Sequence, residues 1–168
     1  MFRRMTLVAA LAFFAGVLSA RAEDKKDQPF DDTAFVKMAA SDGMHEVMLG
    51  KIAAAMAKND DVKKFAERLV KDHSKANEEL KAAAKSANIA VPEKMDEKHM
   101  KHVDHFQNYK GTNFDADFLK HEVADHTEAV ALFTRASKEA KNPQIKDFAT
   151  KTLPTLQAHL EMAKKLSK

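Results

Sequence analysis

The chain has 168 residues, with 28 Lys and Arg against 25 Asp and Glu, no Cys, no Trp, one Tyr, four Gly and four Pro. Cysteine nucleophiles, disulfides, thiolate-ligated clusters and a lipid anchor on an N-terminal Cys are excluded, and four glycines leave little from which to build a phosphate loop. The three surplus positive charges, Arg3, Arg4 and Arg21, all lie in the first 22 residues; without that segment the remaining charges balance, and no net basic character is left to attract nucleic acid.

Residues 1–22 read MFRRMTLVAALAFFAGVLSARA. A positive start at Arg3 and Arg4, an apolar stretch from Thr6 to Ala20 and an Ala20-Arg21-Ala22 cleavage signature predict a secretory signal peptide. The apolar stretch falls short of the ~20 residues a membrane span needs. Cleavage after Ala22 then leaves a periplasmic protein with no further transmembrane segment. No alternating ten-residue strands of an outer-membrane barrel follow. Residues 23–32 are polar and carry Pro29, and are expected to be a disordered lead-in to a helical domain over residues 33–168.

Strand formers are sparse, and apolar spacing is helical throughout. Four long helices are predicted, over 33–58, 60–87, 115–141 and 143–166, with a short helix within 93–109 that Gly111 can end. Asn59 and Asn142 are suited to N-caps, and Pro143 follows at a first helical position where its missing N–H costs nothing.

The two halves repeat at an offset of 83 residues without a gap. Phe35 meets Phe118, Asp42 meets Asp125, Leu49 meets Leu132, Lys58-Asn59 meets Lys141-Asn142 and Phe65-Ala66 meets Phe148-Ala149; the window over 35–66 holds twelve identities in 32 positions. A helical hairpin has been duplicated. The fold expected is an all-α, ferritin-like four-helix bundle. Residues 88–114 form its long crossover if they run the length of the bundle; otherwise the topology is up-down with a fifth helix.

Each long helix carries a metal-capable residue on its apolar face. The second has the stripe Val62, Ala66, Leu69, His73, Ala76, Leu80, Ala83 and Ala87; the fourth has Ile145, Ala149, Thr152, Leu156, His159, Ala163 and Leu166. Asp42 and Glu46 fall among Phe35, Met38, Ala39, Leu49, Ala53 and Met56. Glu122 and His126 fall among Phe114, Phe118, Ala129, Leu132, Phe133 and Ala136, with Asp125 close by. A buried carboxylate without a partner costs several kcal/mol or changes its protonation. Imidazole nitrogen and carboxylate oxygen together suit Zn, Fe, Mn or Cu(II).

The candidate ligands are Glu46, His73, Glu122, His126 and His159, with Asp42 and Asp125 as alternates or outer partners. Asp42 with Glu46, and Glu122 with His126, stand one turn apart on one face, where two side chains can grip one ion. The competing reading is a metal-free polar layer in which the histidines hydrogen-bond the carboxylates, within a non-catalytic envelope protein that binds a partner or serves under stress. His99, His102 and His105 in the crossover read as an exposed helix, and Met44 and Met48 as gap-fillers beneath it. Pro154 is expected to kink the last helix.

Asp72-His73-Ser74-Lys75-Ala76-Asn77, His45-Glu46-Val47 with Leu49-Gly50-Lys51, Ala124-Asp125-His126, and Leu153-Pro154 up to His159-Leu160 resemble an exported bacterial family labelled "predicted outer membrane protein". Its domain is ferritin-like and of unknown function. The resemblance spans about residues 33–166. It implies the four-helix fold and no particular reaction. Di-iron bundles of the ferritin type use Glu-x-x-His on two helices. Here Val70 and Leu156 stand three residues before His73 and His159, which argues against ferroxidase chemistry.

Overall fold

The computed structural model describes residues 29–168, so the signal peptide expected over 1–22 and most of the lead-in lie outside the described residues. Five helices follow in order: α1 (Asp32–Met56), α2 (Asp60–Ser86), α3 (Glu97–Gln107), α4 (Phe114–Glu139) and α5 (Pro143–Leu166). No strand occurs among the described residues, and none of the described helices is long and apolar enough to cross a membrane.

Side-chain caps set the helix starts. Asn59 accepts from the Asp61 N–H, and Asn142 from those of Gln144 and Ile145, with Pro143 at the first position of α5. Asp31 caps α1, Asp96 caps α3 and Asn113 caps α4. Each satisfies amides that a helix start leaves without partners. The end of α2 is also specified. Asn88 takes a left-handed conformation (φ 55°), and Ile89 N–H reaches back to the Ala84 carbonyl at 2.9 Å. This Schellman closure turns the chain into the crossover while Ile89 packs on the core.

Helices α1 and α2 form one antiparallel hairpin and α4 and α5 the other, with α2 against α5 and α1 against α4. The crossover carries the chain from one end of the bundle to the other. Ile89 and Val91 pack with Phe35 and Phe148 at one end, while Phe106 packs with Phe65 and Phe118 at the opposite end. The expected long-crossover, ferritin-like topology is therefore the one adopted, and α3 lies across α1.

The duplication is visible in the contacts. The Asp115 carboxylate, at the start of α4, accepts from the backbone N–H groups of Lys58 (3.0 Å) and Asn59 (2.8 Å) in the first hairpin's turn. Its repeat partner Asp32, at the start of α1, accepts from Lys141 (3.1 Å) and Asn142 (2.7 Å) in the second.

The core is split in two. One cluster holds Phe35, Val36, Leu80, Phe133, Ile145, Phe148 and Leu156; the other holds Leu49, Val62, Phe65, Leu69, Phe106, Phe114 and Phe118. A polar layer lies between them.

Several expectations need correction. The bundle begins before residue 33: Phe30 is buried against Phe35 and beneath Arg135, and Asp32 is already helical. Met38, Met48 and Met56 are exposed rather than packed. The crossover helix ends at Gln107, before Gly111. Nor is that helix simply exposed. His99 is buried to the same degree as His73, and only His105 of the three crossover histidines faces solvent.

Candidate metal centre

All five residues expected at the centre converge in the polar layer, each at most 5% exposed. Glu46 comes from α1, His73 from α2, Glu122 and His126 from one turn of α4, and His159 from α5. The rings of His73, His126 and His159 form a near-equilateral triangle, with centroids 5.6, 5.3 and 5.3 Å apart. Each of these histidines offers a nitrogen within 4.8 Å of the other two, and Glu46, Glu122 and His126 form a second such group that shares His126.

Hydrogen bonds set the tautomers. His159 Nε2 lies 2.9 Å from Asp72 Oδ2, and Arg68 holds the same oxygen at 3.3 Å. Burial pushes His159 down to about 4 against the pull of Asp72, so the ring is neutral at pH 7. A neutral ring that donates Nε2–H to Asp72 keeps a lone pair on Nδ1, an atom with no partner among the described residues. A carboxylate behind an imidazole is a common way to orient a metal ligand. Asp72 is itself held below the usual carboxylate range: its partial burial is outweighed by the bonds from His159 and Arg68.

His126 Nδ1 faces the Glu122 carbonyl at 3.2 Å, with Glu122 Oε2 also 3.2 Å away. Donation from Nδ1 leaves Nε2 as the unpartnered lone pair. His73 is kept neutral by burial and by the neighbouring imidazoles His126 and His159. Its Nε2 has no hydrogen-bond partner and lies 4.0 Å from Glu46 Oε2. Burial, and then the nearby carboxylates Glu122 and Asp42, raise Glu46 well above the usual range.

Asp42 and Asp125, the pair related by the repeat, stand close together beside His45 and Glu46. Burial, and then Asp125, raise Asp42 well above the usual carboxylate range; Asp125, despite its own burial, is lowered to about 2 by Asp42 and by His45. Of the two, Asp125 is the one that supplies negative charge beside Glu46.

The sequence reading did not select His45, His121 or Asp72. His45 is fully buried, and burial drives it down to about 3. His121 is half-buried under α3. His99 bonds Ser41 Oγ and Asp96 Oδ2 through Nδ1, both at 2.9 Å, and thereby pins α3 to α1.

Residues 16–166 match the family described as "Domain of unknown function (DUF4142)". The chain belongs to the DUF4142 family. No curated protein matches significantly. Among solved structures, a DUF305 fragment from Deinococcus radiodurans is 13% identical to this DUF4142 chain. Its TM-score is 0.69, covering 83% of this chain and 98% of that one. CopM in its Cu(II)-bound form is 18% identical, with a TM-score of 0.70, covering 83% and 97%. CopM soaked with silver is 17% identical, with a TM-score of 0.65, covering 82% and 95%. At such identities the likeness is one of fold.

Proposed function

We propose that this protein is exported to the periplasm and binds a transition-metal ion between its helices through Glu46, His73, Glu122, His126 and His159. One observation carries the reading. Seven buried atoms of these five residues lack a hydrogen-bond partner: His73 Nε2, His126 Nε2, His159 Nδ1 and both oxygens of Glu46 and Glu122. A buried polar group left unpaired costs ~1–3 kcal/mol, and one cation can satisfy several at once. Three imidazole nitrogens with two carboxylates suit Cu(II), Zn, Fe(II) or Mn rather than a hard, all-oxygen cation such as Ca. The copper- and silver-bound forms of CopM, a bundle of the same fold, favour copper among these. Asp42 and Asp125 act as outer partners, and no reaction is assigned.

A metal-free polar layer is the second reading. It is favoured by the His159–Asp72 hydrogen bond, which satisfies part of the layer without an ion. Calorimetric titration of demetallated protein with Cu(II), Zn, Fe(II) and Mn separates the two. Metal binding tighter than ~10 μM, lost when His73→Leu is combined with His159→Leu, supports the centre. No binding, with that double variant neutral or stabilised, supports the polar layer. Intact-mass analysis of exported protein checks the address: a chain beginning at Glu23 is expected, and one retaining residues 1–22 refutes it.

A further inference from the structure

Beyond the inner centre, α3 covers a second group of imidazoles. His45 comes from α1, His102 from α3 and His121 from α4. His45 Nε2 and His121 Nε2 stand 3.4 Å apart. Two imidazole nitrogens on one tetrahedral ion, each ~2.0–2.1 Å from it, are separated by ~3.3–3.4 Å. The pair already has that spacing. His102 completes the group: its ring centroid is 4.9 Å from that of His121 and 5.8 Å from that of His45, and its Nδ1 is buried without a partner. One nitrogen from each of the three lies within 4.8 Å of the other two.

The far side of His45 is also organised. Its Nδ1 is buried without a hydrogen-bond partner and lies 3.8 Å from both Glu46 Oε1 and Asp125 Oδ2. His99 falls in a different group, with Asp42 and His45; its Nδ1 is held by Ser41 and Asp96 and its Nε2 lies 3.8 Å from Asp42 Oδ1. Its task is to hold α3, and with it His102, in place.

We propose that His45, His102 and His121 form a second transition-metal site, nearer the surface than the first and covered by α3. Three imidazoles select Cu(II) or Zn over Ca and Mg. The site goes beyond the inner centre and uses none of its ligands. His102 and His121 are half-buried where all five inner ligands are buried, so the outer site is the one an incoming ion meets first. His45 forms the wall between them. Its Nε2 faces outward, and its Nδ1 faces Glu46, whose other oxygen looks toward His73.

The test is the stoichiometry of Cu(II) and of Zn bound to demetallated full-length mature protein, measured by calorimetry, with far-UV circular dichroism confirming that each variant folds. Two ions are expected for the wild type. His102→Ala with His121→Ala should remove one, and His73→Leu with His159→Leu the other. The milder pair His102→Gln with His121→Gln serves if the alanine pair loosens α3. An unchanged number of ions in the outer variants overturns the proposal. So does loss of one and the same ion in both the outer and inner variants, which makes the group a single centre. An ion lost only in the outer variants, with none lost in the inner ones, upholds the outer site and refutes the inner centre instead.

Discussion

The neutral state of His159 can be tested through the pH dependence of folding. The perturbation is acidification of metal-free protein from pH 8 to pH 5, compared between the wild type and His159→Leu. His159 is fully buried and titrates at about 4 in the fold, against about 6.5 in an unfolded chain. At pH 5 the unfolded state has therefore taken up this proton and the folded state has largely refused it. A lowered imidazole value means stability that is whole above 6.5 and lost as pH falls toward 4. One and a half pH units below the ordinary value, at about 1.4 kcal/mol per unit, gives a loss of about 2 kcal/mol from this side chain. Asp42 and Glu46 act with the opposite sign, since their raised values favour the fold on acidification. They are common to both proteins and cancel in the difference, while Asp72 titrates below the window. Urea unfolding in chelator at the two pH values should show the wild type losing about 2 kcal/mol more than the variant. Equal losses refute a buried, neutral His159.

Other predictions concern the scaffold and the bound state. Asp115→Ala and Asp32→Ala each remove a carboxylate that accepts two turn amides; each should cost about 1–2 kcal/mol. Thermal melts of the double variant should show the two costs adding to within ~0.5 kcal/mol, because the sites lie at opposite ends. Gly50→Ala would place a Cβ 2.8 Å from Val70 Cγ2 and 2.9 Å from the Ala66 carbonyl oxygen. Forcing α1 away from α2 should cost about 1–3 kcal/mol in urea unfolding. A metal at a hundredfold excess over its Kd should stabilise the wild type by about 2.7 kcal/mol, raising Tm by roughly 5–10 °C. The His73→Leu, His159→Leu variant should show a smaller rise.

The helices and the convergence of Glu46, His73, Glu122, His126 and His159 were legible because α2, α4 and α5 each present one main buried face, so a His or Glu inside the stripe is conspicuous. The caps at Asn59 and Asn142 fell where the repeat put them. Helix α1 was harder to read. It touches α2, α4 and α3, and it buries Val36, Ala40, Ser41, Gly43 and His45 as well as the expected Phe35, Glu46 and Leu49. A helix covered on several sides has no single stripe, so His45, one step from Glu46, does not stand out in the sequence. The small residues Ala40, Ser41, Gly43 and Gly50 were the available signal, since they let neighbouring elements approach closely. His99 and His102 were obscured for the same reason: the charged neighbours Lys98, Lys101 and Asp104 describe the outer face of α3 and say nothing of its underside. Asp72 escaped because its role depends on a partner 87 residues away.

The reciprocal reach of Asp32 and Asp115 has a further consequence. Each hairpin closes the other's turn, residue i meeting j while j's counterpart meets i's, which is the contact rule of an isologous dimer about a twofold axis. Here the two copies are joined in one chain. A true homodimer must place every residue twice, so a single off-axis triangle of imidazoles is denied to it. Tethering lifts that restriction: His73 stands where the other copy has Leu156, His159 where it has Ala76, and His126 where it has Gly43. Among the residues of the polar layer only Asp42 and Asp125 keep the old equivalence, and with Asp42 raised and Asp125 lowered even that pair is unequal.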